Sequence, residues 1–174
     1  MRMSLSTSVT AGLAAAAVVG AGLVGFGVFQ AVDNGKPPTN EATLVVGTSS
    51  VRAEPTCYNG GKAIAEADLA KCAQQAAKDS EDKKLANLDV RASDRVGVGV
   101  PKDLADKGWY AFTGQGQNRT PIIAGASGTT YSLSQAAAGL MSSDERTMVT
   151  VAAVDKDTNE YYAVWFFNMN NQKS

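Results

Sequence analysis

Two cysteines, Cys57 and Cys72, are the only thiols in the chain, and we consider four kinds of chemistry for them. A redox pair normally has Cys-x-x-Cys spacing, whereas residues 58–71 separate these two. A catalytic thiol needs a base such as histidine, and the chain contains no histidine. A zinc site would have to combine the two sulfurs with carboxylates. We therefore favour a structural disulfide between Cys57 and Cys72, which predicts an oxidising compartment.

Two other patterns resemble functional motifs but are incomplete. Residues 80–83 match the Ser-x-x-Lys pattern of penicillin-recognising enzymes, although the companion motifs are missing. Asp155, Asp157 and Asn159 resemble the start of a calcium loop, but Glu160 stands where that loop requires glycine. The sequence therefore predicts no catalytic residue, no metal site and no cofactor, and it favours a protein that is not an enzyme. An enzyme that uses carboxylates or a serine with lysine remains an alternative.

The charge of the chain argues against nucleic-acid binding. Its 174 residues include 16 basic and 17 acidic side chains, for a formal net charge of −1, and no basic cluster is visible. Proteins that bind nucleic acids usually carry such a cluster, because it displaces counterions from phosphates. We therefore expect no nucleic-acid partner. The length suits one domain with an appendage.

The first 32 residues have the composition of a membrane span. Residues 11–32 are almost entirely apolar or glycine, and about 20 such residues cross a bilayer. Arg2 precedes this segment, which predicts a cytoplasmic N-terminus and an extracytoplasmic remainder. Phe29 stands where signal peptidase prefers a small residue, so we favour an uncleaved signal anchor, with a cleaved signal as the alternative. Residues 33–42 are polar, contain two adjacent prolines and predict a stalk.

Residues 43–174 show the period-two alternation of β-strands, and we predict an extracytoplasmic, mainly β domain of about seven strands. The segment 66–84 has the apolar spacing of a helix instead. The clearest element is a hairpin of residues 146–154 and 161–169, whose second strand is apolar on both faces and so belongs inside a sheet. Other strands are predicted at 43–49, 109–115, 120–125 and 130–136, and residues 87–93 and 95–101 form either two strands or one long stretch. The pattern favours an immunoglobulin-like β-sandwich with one helical insertion.

Three aromatic side chains are candidates for ligand binding, namely Trp109, Tyr110 and Trp165. Tryptophan and tyrosine stack well on ligands, but they also fill cores, and we expect both tryptophans to lie in the core. The polar loop at residues 113–121 is a second candidate, because loops at one end of a sandwich often bind partners.

Several segments together resemble a known family. They are "TLVVGTSSV", the cysteine context "CYNGGK" and "DLAKC", and "RVGVGVPKDLADKGW". They resemble the actinobacterial family that carries domain of unknown function 2771, over about residues 43–169. The resemblance implies a small exported protein, usually a lipoprotein, with this cysteine pair. The lipid-bearing cysteine of a lipoprotein is absent here, so a transmembrane anchor would replace it. The family has no established activity, so the resemblance implies location and fold only.

These observations predict a single-pass protein of the cell membrane with its folded domain outside. We expect a non-catalytic module that binds an envelope protein or a cell-wall component, or that acts as a structural accessory. An inhibitor or a small-ligand sensor is the alternative, and a sensor should have a concave apolar pocket.

Overall fold

The computed structural model describes residues 40–114 and 118–172, which form two β-sheets and two α-helices. The strands are β1 (Ala42–Val46), β2 (Ser49–Ala53), β3 (Cys57–Tyr58), β4 (Asn87–Val90), β5 (Arg95–Gly99), β6 (Trp109–Thr113), β7 (Thr120–Ala126), β8 (Gln135–Ala136), β9 (Arg146–Val154) and β10 (Tyr161–Asn171). The helices are α1 (Glu66–Glu81) and α2 (Lys102–Ala105), and a 3-10 turn spans Ala137–Gly139. The domain is mainly β, which confirms the predicted class.

The predicted anchor at residues 1–32 lies outside the described residues, as does most of the predicted stalk at 33–42. Within the part that the structure describes, no helix has the length and apolar character needed to cross a membrane.

The first sheet is fully antiparallel and has the order β2-β1-β5-β8. A two-residue turn joins β1 to β2, and Gly47 takes a φ of 57° there, which glycine adopts without steric cost. Leu44 and Val98 are paired across β1 and β5, and both side chains are fully buried. On the opposite face of β5, a Cβ at Gly97 would overlap the ring of Tyr131. The absence of a side chain at Gly97 therefore allows the ring of Tyr131 to pack against β5.

The second sheet has the order β3-β10-β9-β6-β7, and β4 also pairs with β10. The pairing of β4 with β10 is parallel, and the other pairings are antiparallel. Strand β10 has β9 along one side and both β3 and β4 along the other. This confirms the prediction that the doubly apolar strand lies inside a sheet and that it forms a hairpin with the preceding strand.

An irregularity at the start of β10 changes which face two tyrosines use. Simple alternation predicts that Tyr161 shares a face with Ala163 and Trp165, while Tyr162 shares one with Val164. In the structure Tyr161 packs with Val164, and Tyr162 packs against the core that contains Trp165. A bulge adds one residue and shifts the period, so the prediction is wrong for these two side chains.

The two sheets close over one hydrophobic core. Trp109, Trp165 and Phe167 are among its largest buried side chains, and Leu104 of α2 adds to it. A phenylalanine or leucine side chain such as Phe167 or Leu104 contributes about 1.5–3 kcal/mol when it leaves water. The indole N–H of Trp165 donates to the carbonyl oxygen of Asn40 at 2.9 Å, so its burial leaves no unpaired donor.

Several element boundaries differ from the prediction. Helix α1 ends at Glu81, because Lys83 takes a φ of 59° that a helix does not allow. Of the strand predicted at 130–136, only β8 at its end and an isolated bridge at Tyr131 form, since Leu133 also has a positive φ. The described residues contain ten strands rather than about seven, because β2 and β3 pair without a strong apolar alternation and because residues 87–101 form two separate strands, β4 and β5.

Candidate functional site

The six-stranded sheet carries a second apolar cluster on the face that points away from the core. It arises from the strand period, because residues between the core positions point outward. Val164 of β10, Ala152 of β9 and Tyr110 of β6 belong to it. Helix α1 lies on part of this face and buries Ala76, with Leu69 packed beside it. The helix therefore covers β10 and β3, while the surface over β9 and β6 remains accessible.

Hydrogen bonds fix the C-terminal end of α1 to the sheet. The hydroxyl of Ser80 donates to Oδ1 of Asn168 at 2.8 Å, and Asn168 is only 1% exposed. The guanidinium of Arg146 donates to the carbonyl oxygens of Ser80 and Glu81. A cation suits this position, because the carbonyl end of a helix carries partial negative charge. The helix is therefore held at a defined place on the sheet.

A groove of about 520 Å³ lies between α1 and strands β9 and β6. This volume falls within the range of about 300–1,000 Å³ that small-molecule sites have. The groove exists because small side chains face each other across it, namely Ala70, Ala73 and Ala77 on the helix and Thr150 and Ala152 on β9. Larger apolar side chains complete its walls: Leu69, Tyr110, Phe112, Met148, Val164 and Phe166.

A pair of tyrosines supplies hydroxyl groups to the groove. The hydroxyls of Tyr110 and Tyr161 are 2.8 Å apart, and the ring of Tyr110 stacks on Phe112 with centroids 5.8 Å apart. Burial raises the pKa of the Tyr110 hydroxyl above its ordinary value, and the hydrogen bond with Tyr161 raises it further. The hydroxyl therefore keeps its proton at neutral pH and acts as a hydrogen-bonding group.

Two charged residues line the groove at different places. Glu66 lies in the first turn of α1. Arg119 lies beside β6, with its guanidinium 4.4 Å from the centroid of the Phe112 ring. This cation–π contact holds the guanidinium over the wall of the groove. Within residues 40–114 and 118–172, the ion pairs do not include Arg119.

The structure contains Cys57 and Cys72 as free thiols, and the two side chains contact each other. Cys57 lies on β3 and is buried, whereas Cys72 lies on α1 with its Sγ 3.7 Å from the carbonyl oxygen of Thr56. Burial raises the pKa of the Cys57 thiol, and the neighbouring Cys72 raises it further. Cys57 also lines the groove. The disulfide between them stays a prediction, and it would tie α1 to β3.

The three aromatic candidates from the sequence separate into two groups. Trp109 and Trp165 lie in the core between the sheets, with side chains 2% and 0% exposed, and Tyr110 lines the groove. The indole N–H of Trp109 donates to the carbonyl oxygen of Thr129 at 2.7 Å, so the packing already uses its polar group. Of the three, Tyr110 alone lies where the groove can bring a ligand to it.

The other sequence motifs have structural explanations. Oδ1 of Asp155 accepts hydrogen bonds from the backbone N–H groups of Asp157 and Thr158, which stabilises the turn between β9 and β10. Ser80 of the Ser-x-x-Lys pattern is engaged with Asn168. No group of three or more potential metal ligands occurs among the residues that the structure describes. The candidate loop at 113–121 contains residues 115–117, which are outside them.

Sequence reasoning missed Tyr161 and the alanines of α1 that line the groove, and it included Arg119 only as part of the candidate loop 113–121. The sequence did indicate which face of β6 carries the groove, since Tyr110 and Phe112 alternate with the core positions of that strand. The contribution of the helix had no such signal, because alanines on an exposed helix face are common.

Comparison of the chain with protein-family models, with curated proteins and with solved structures gives no match. The fold and the site therefore define a mainly β, two-sheet domain with an apolar groove under a surface helix. The resemblance to the family with domain of unknown function 2771 stays a prediction.

Proposed function

We propose that this chain is a non-catalytic binding module of the cell envelope and that it holds a hydrocarbon chain in the groove between α1 and strands β9 and β6. The observation that carries the proposal is the groove itself. It is about 520 Å³, predominantly apolar, and open on a sheet face that α1 covers only in part. An apolar cleft of this kind is the default binding site of a small domain.

The lining of the groove favours hydrocarbon over an extended peptide. Strand β9 is paired with β10 and β6, and β6 is paired with β9 and β7, so the backbone groups of the floor are already engaged. An extended peptide would find no free strand edge there, and its own buried N–H and C=O groups would stay unpaired. A hydrocarbon chain has no such groups.

The floor of the groove supports a slender occupant. Ala152 is 1% exposed and Thr150 is 7% exposed, although both side chains are small. Larger side chains of the same lining, such as Tyr110 and Phe166, flank them, so the floor is recessed between them. A single hydrocarbon chain fits such a space better than a partner helix, which is about 10 Å across.

The two groups of the groove whose pKa is shifted, Cys57 and Tyr110, support a role without catalysis. The pKa values of Cys57 and Tyr110 are both raised by burial, so both groups are protonated at neutral pH. A nucleophile or a general base works best with a pKa near the working pH, and these shifts move in the opposite direction.

The envelope location is part of the proposal and rests on the sequence. Its support is the apolar segment at residues 11–32, the cysteine pair and the family resemblance. The immunoglobulin-like interpretation of the sandwich also stays a prediction. Two sheets that close over one core support it.

Photolabelling of the full chain in its native membrane tests the binding function. The probe is a palmitoyl chain with a diazirine and a terminal alkyne, and labelled peptides are mapped by mass spectrometry. We expect labels in α1 and β9. Ala73→Leu fills the groove and should reduce labelling about fivefold or more, because added methylenes in occupied space cost about 1–3 kcal/mol.

Ala67→Leu is the matched control. Ala67 is also exposed on α1, but it does not line the groove. Equal labelling of the two variants, or labels confined to other segments, would show that the groove does not bind the palmitoyl probe.

A further inference from the structure

The charges around the groove differ from one place to another. Glu66 follows Ile64, whose backbone N–H donates to the carbonyl oxygen of Tyr161 at 2.8 Å, so the acidic group lies near the start of β10. Arg119 lies over Phe112, which is paired with Thr150 in the middle of β9. A ligand with one charged end therefore meets unlike potentials at the two places.

We propose that the ligand is a single acyl chain that ends in a carboxylate and that Arg119 binds this carboxylate. This inference rests on the proposed function, since it names the class of molecule that the groove holds. The acyl chain lies along the alanines of α1 and the floor of β9, and the carboxylate lies at the guanidinium. Glu66 repels the carboxylate, so the charges also set the direction of the chain.

The chemistry of the groups around Arg119 matches a carboxylate. A guanidinium presents parallel N–H donors that bind both oxygens of a carboxylate, and its stacking on Phe112 restricts its orientation. The hydroxyl pair of Tyr110 and Tyr161 uses one of its two protons internally. The second proton is free to bind a polar group of the ligand.

The size of the groove indicates one chain rather than several. Its volume of about 520 Å³ lies in the lower half of the range for small-ligand sites, about 300–1,000 Å³. Both walls belong to well-anchored elements, since α1 is fixed through Ser80 and Asn168 and β6 is an inner strand. A diacyl lipid would require the walls to separate.

Competition against the photoactivatable palmitoyl probe tests the headgroup. The full chain in its native membrane is labelled in the presence of unlabelled palmitate or of methyl palmitate, which has the same chain but no charge. We expect palmitate to compete about tenfold better than methyl palmitate, because the charge-assisted hydrogen bonds between one guanidinium and one carboxylate account for a difference of this size. Arg119→Gln should remove this preference, and Arg119→Lys should restore part of it.

Arg52→Gln is the control for charge alone, because Arg52 is an exposed arginine of β2 in the other sheet. It should leave the preference for palmitate unchanged. Loss of the preference in Arg52→Gln as well would overturn the role of Arg119, because a general charge effect would explain it.

The remaining outcomes separate this inference from the proposed function. Equal competition by palmitate and methyl palmitate, with labelling still sensitive to Ala73→Leu, would overturn the carboxylate and keep the groove as a hydrocarbon site. Absence of labelling in α1 and β9 would overturn both, and a partner protein that occupies the groove would give this result.

Discussion

Tyr110 links the packing of the sheet to the polar part of the groove, because its ring stacks on Phe112 while its hydroxyl contacts that of Tyr161. Burial raises the pKa of this hydroxyl above 10.0, its ordinary value, so the folded protein holds the proton more tightly than the unfolded chain does. The resulting stabilisation is fully present below about pH 10 and is lost as the pH rises further.

We predict that Tyr110→Phe lowers the free energy of unfolding at pH 8 by about 0.5–1.5 kcal/mol, the usual value of one hydrogen bond. The difference from the wild type should shrink at pH 11, because only the wild type loses stability through this group. Urea unfolding followed by the fluorescence of the two buried tryptophans measures both values. Any titration of Cys57 is common to the two proteins and cancels. The same difference at both pH values would contradict the prediction.

At the residue level, the sequence predicted the core better than the groove. Trp165 and Phe167 are large and apolar, and any fold that buries strand 161–169 buries them. The face on which Tyr161 lies is set by a bulge, and the apolar alternation of the sequence does not reveal that bulge. The position of the Arg119 guanidinium is set by its contact with the ring of Phe112. Phe112 is seven residues away in the sequence, and the pairing of β6 with β7 brings the two side chains together.

Helix α1 is the element on which the groove depends, because it forms one of the two walls. Its apolar spacing was sufficient to predict a helix, and Leu69 and Ala76 do face the sheet. The spacing did not predict where the helix lies, since that position is set by Ser80 with Asn168 and by Arg146. These contacts join residues that are far apart in the chain.

The predicted disulfide would make the position of α1 depend on oxidation. Oxidation of Cys57 and Cys72 would join β3 to α1 through a loop of about 15 residues, which stabilises a fold by about 3 kcal/mol in the chain-entropy model. We predict that reductant lowers the free energy of unfolding of the isolated protein by about this amount. Urea unfolding with and without reductant measures the change.

Cys72→Ala provides the control for this experiment, because Cys72 is only half-buried and its loss removes the bond without emptying the core. Its stability should not respond to reductant. Two free thiols counted in denatured protein that was prepared without reductant would show that the bond does not form.

The topology of the whole molecule was the hardest feature to predict. Consecutive segments 87–90 and 95–99 look like one interrupted strand, yet β4 belongs to the six-stranded sheet and β5 to the other. The parallel pairing of β4 with β10 joins residues about 80 positions apart, as in the contact of Asn170 with Asn87. Local alternation contains no information about such a pairing.

The location of the whole molecule gives the last prediction. Residues 11–32 are uncharged and almost wholly apolar, so we expect the full chain to sediment with membranes and to resist extraction by salt and alkaline carbonate. Protease added outside intact cells should digest the domain, because Arg2 favours a cytoplasmic N-terminus.

Replacing three central residues, Val18, Val19 and Leu23, with Asp should release or degrade the chain, since each buried charge costs about 2.5–3.5 kcal/mol. A matched variant with Asp at three exposed positions of α1 should stay membrane-bound. Recovery of the wild type in the soluble fraction with an intact N-terminus would contradict the anchor.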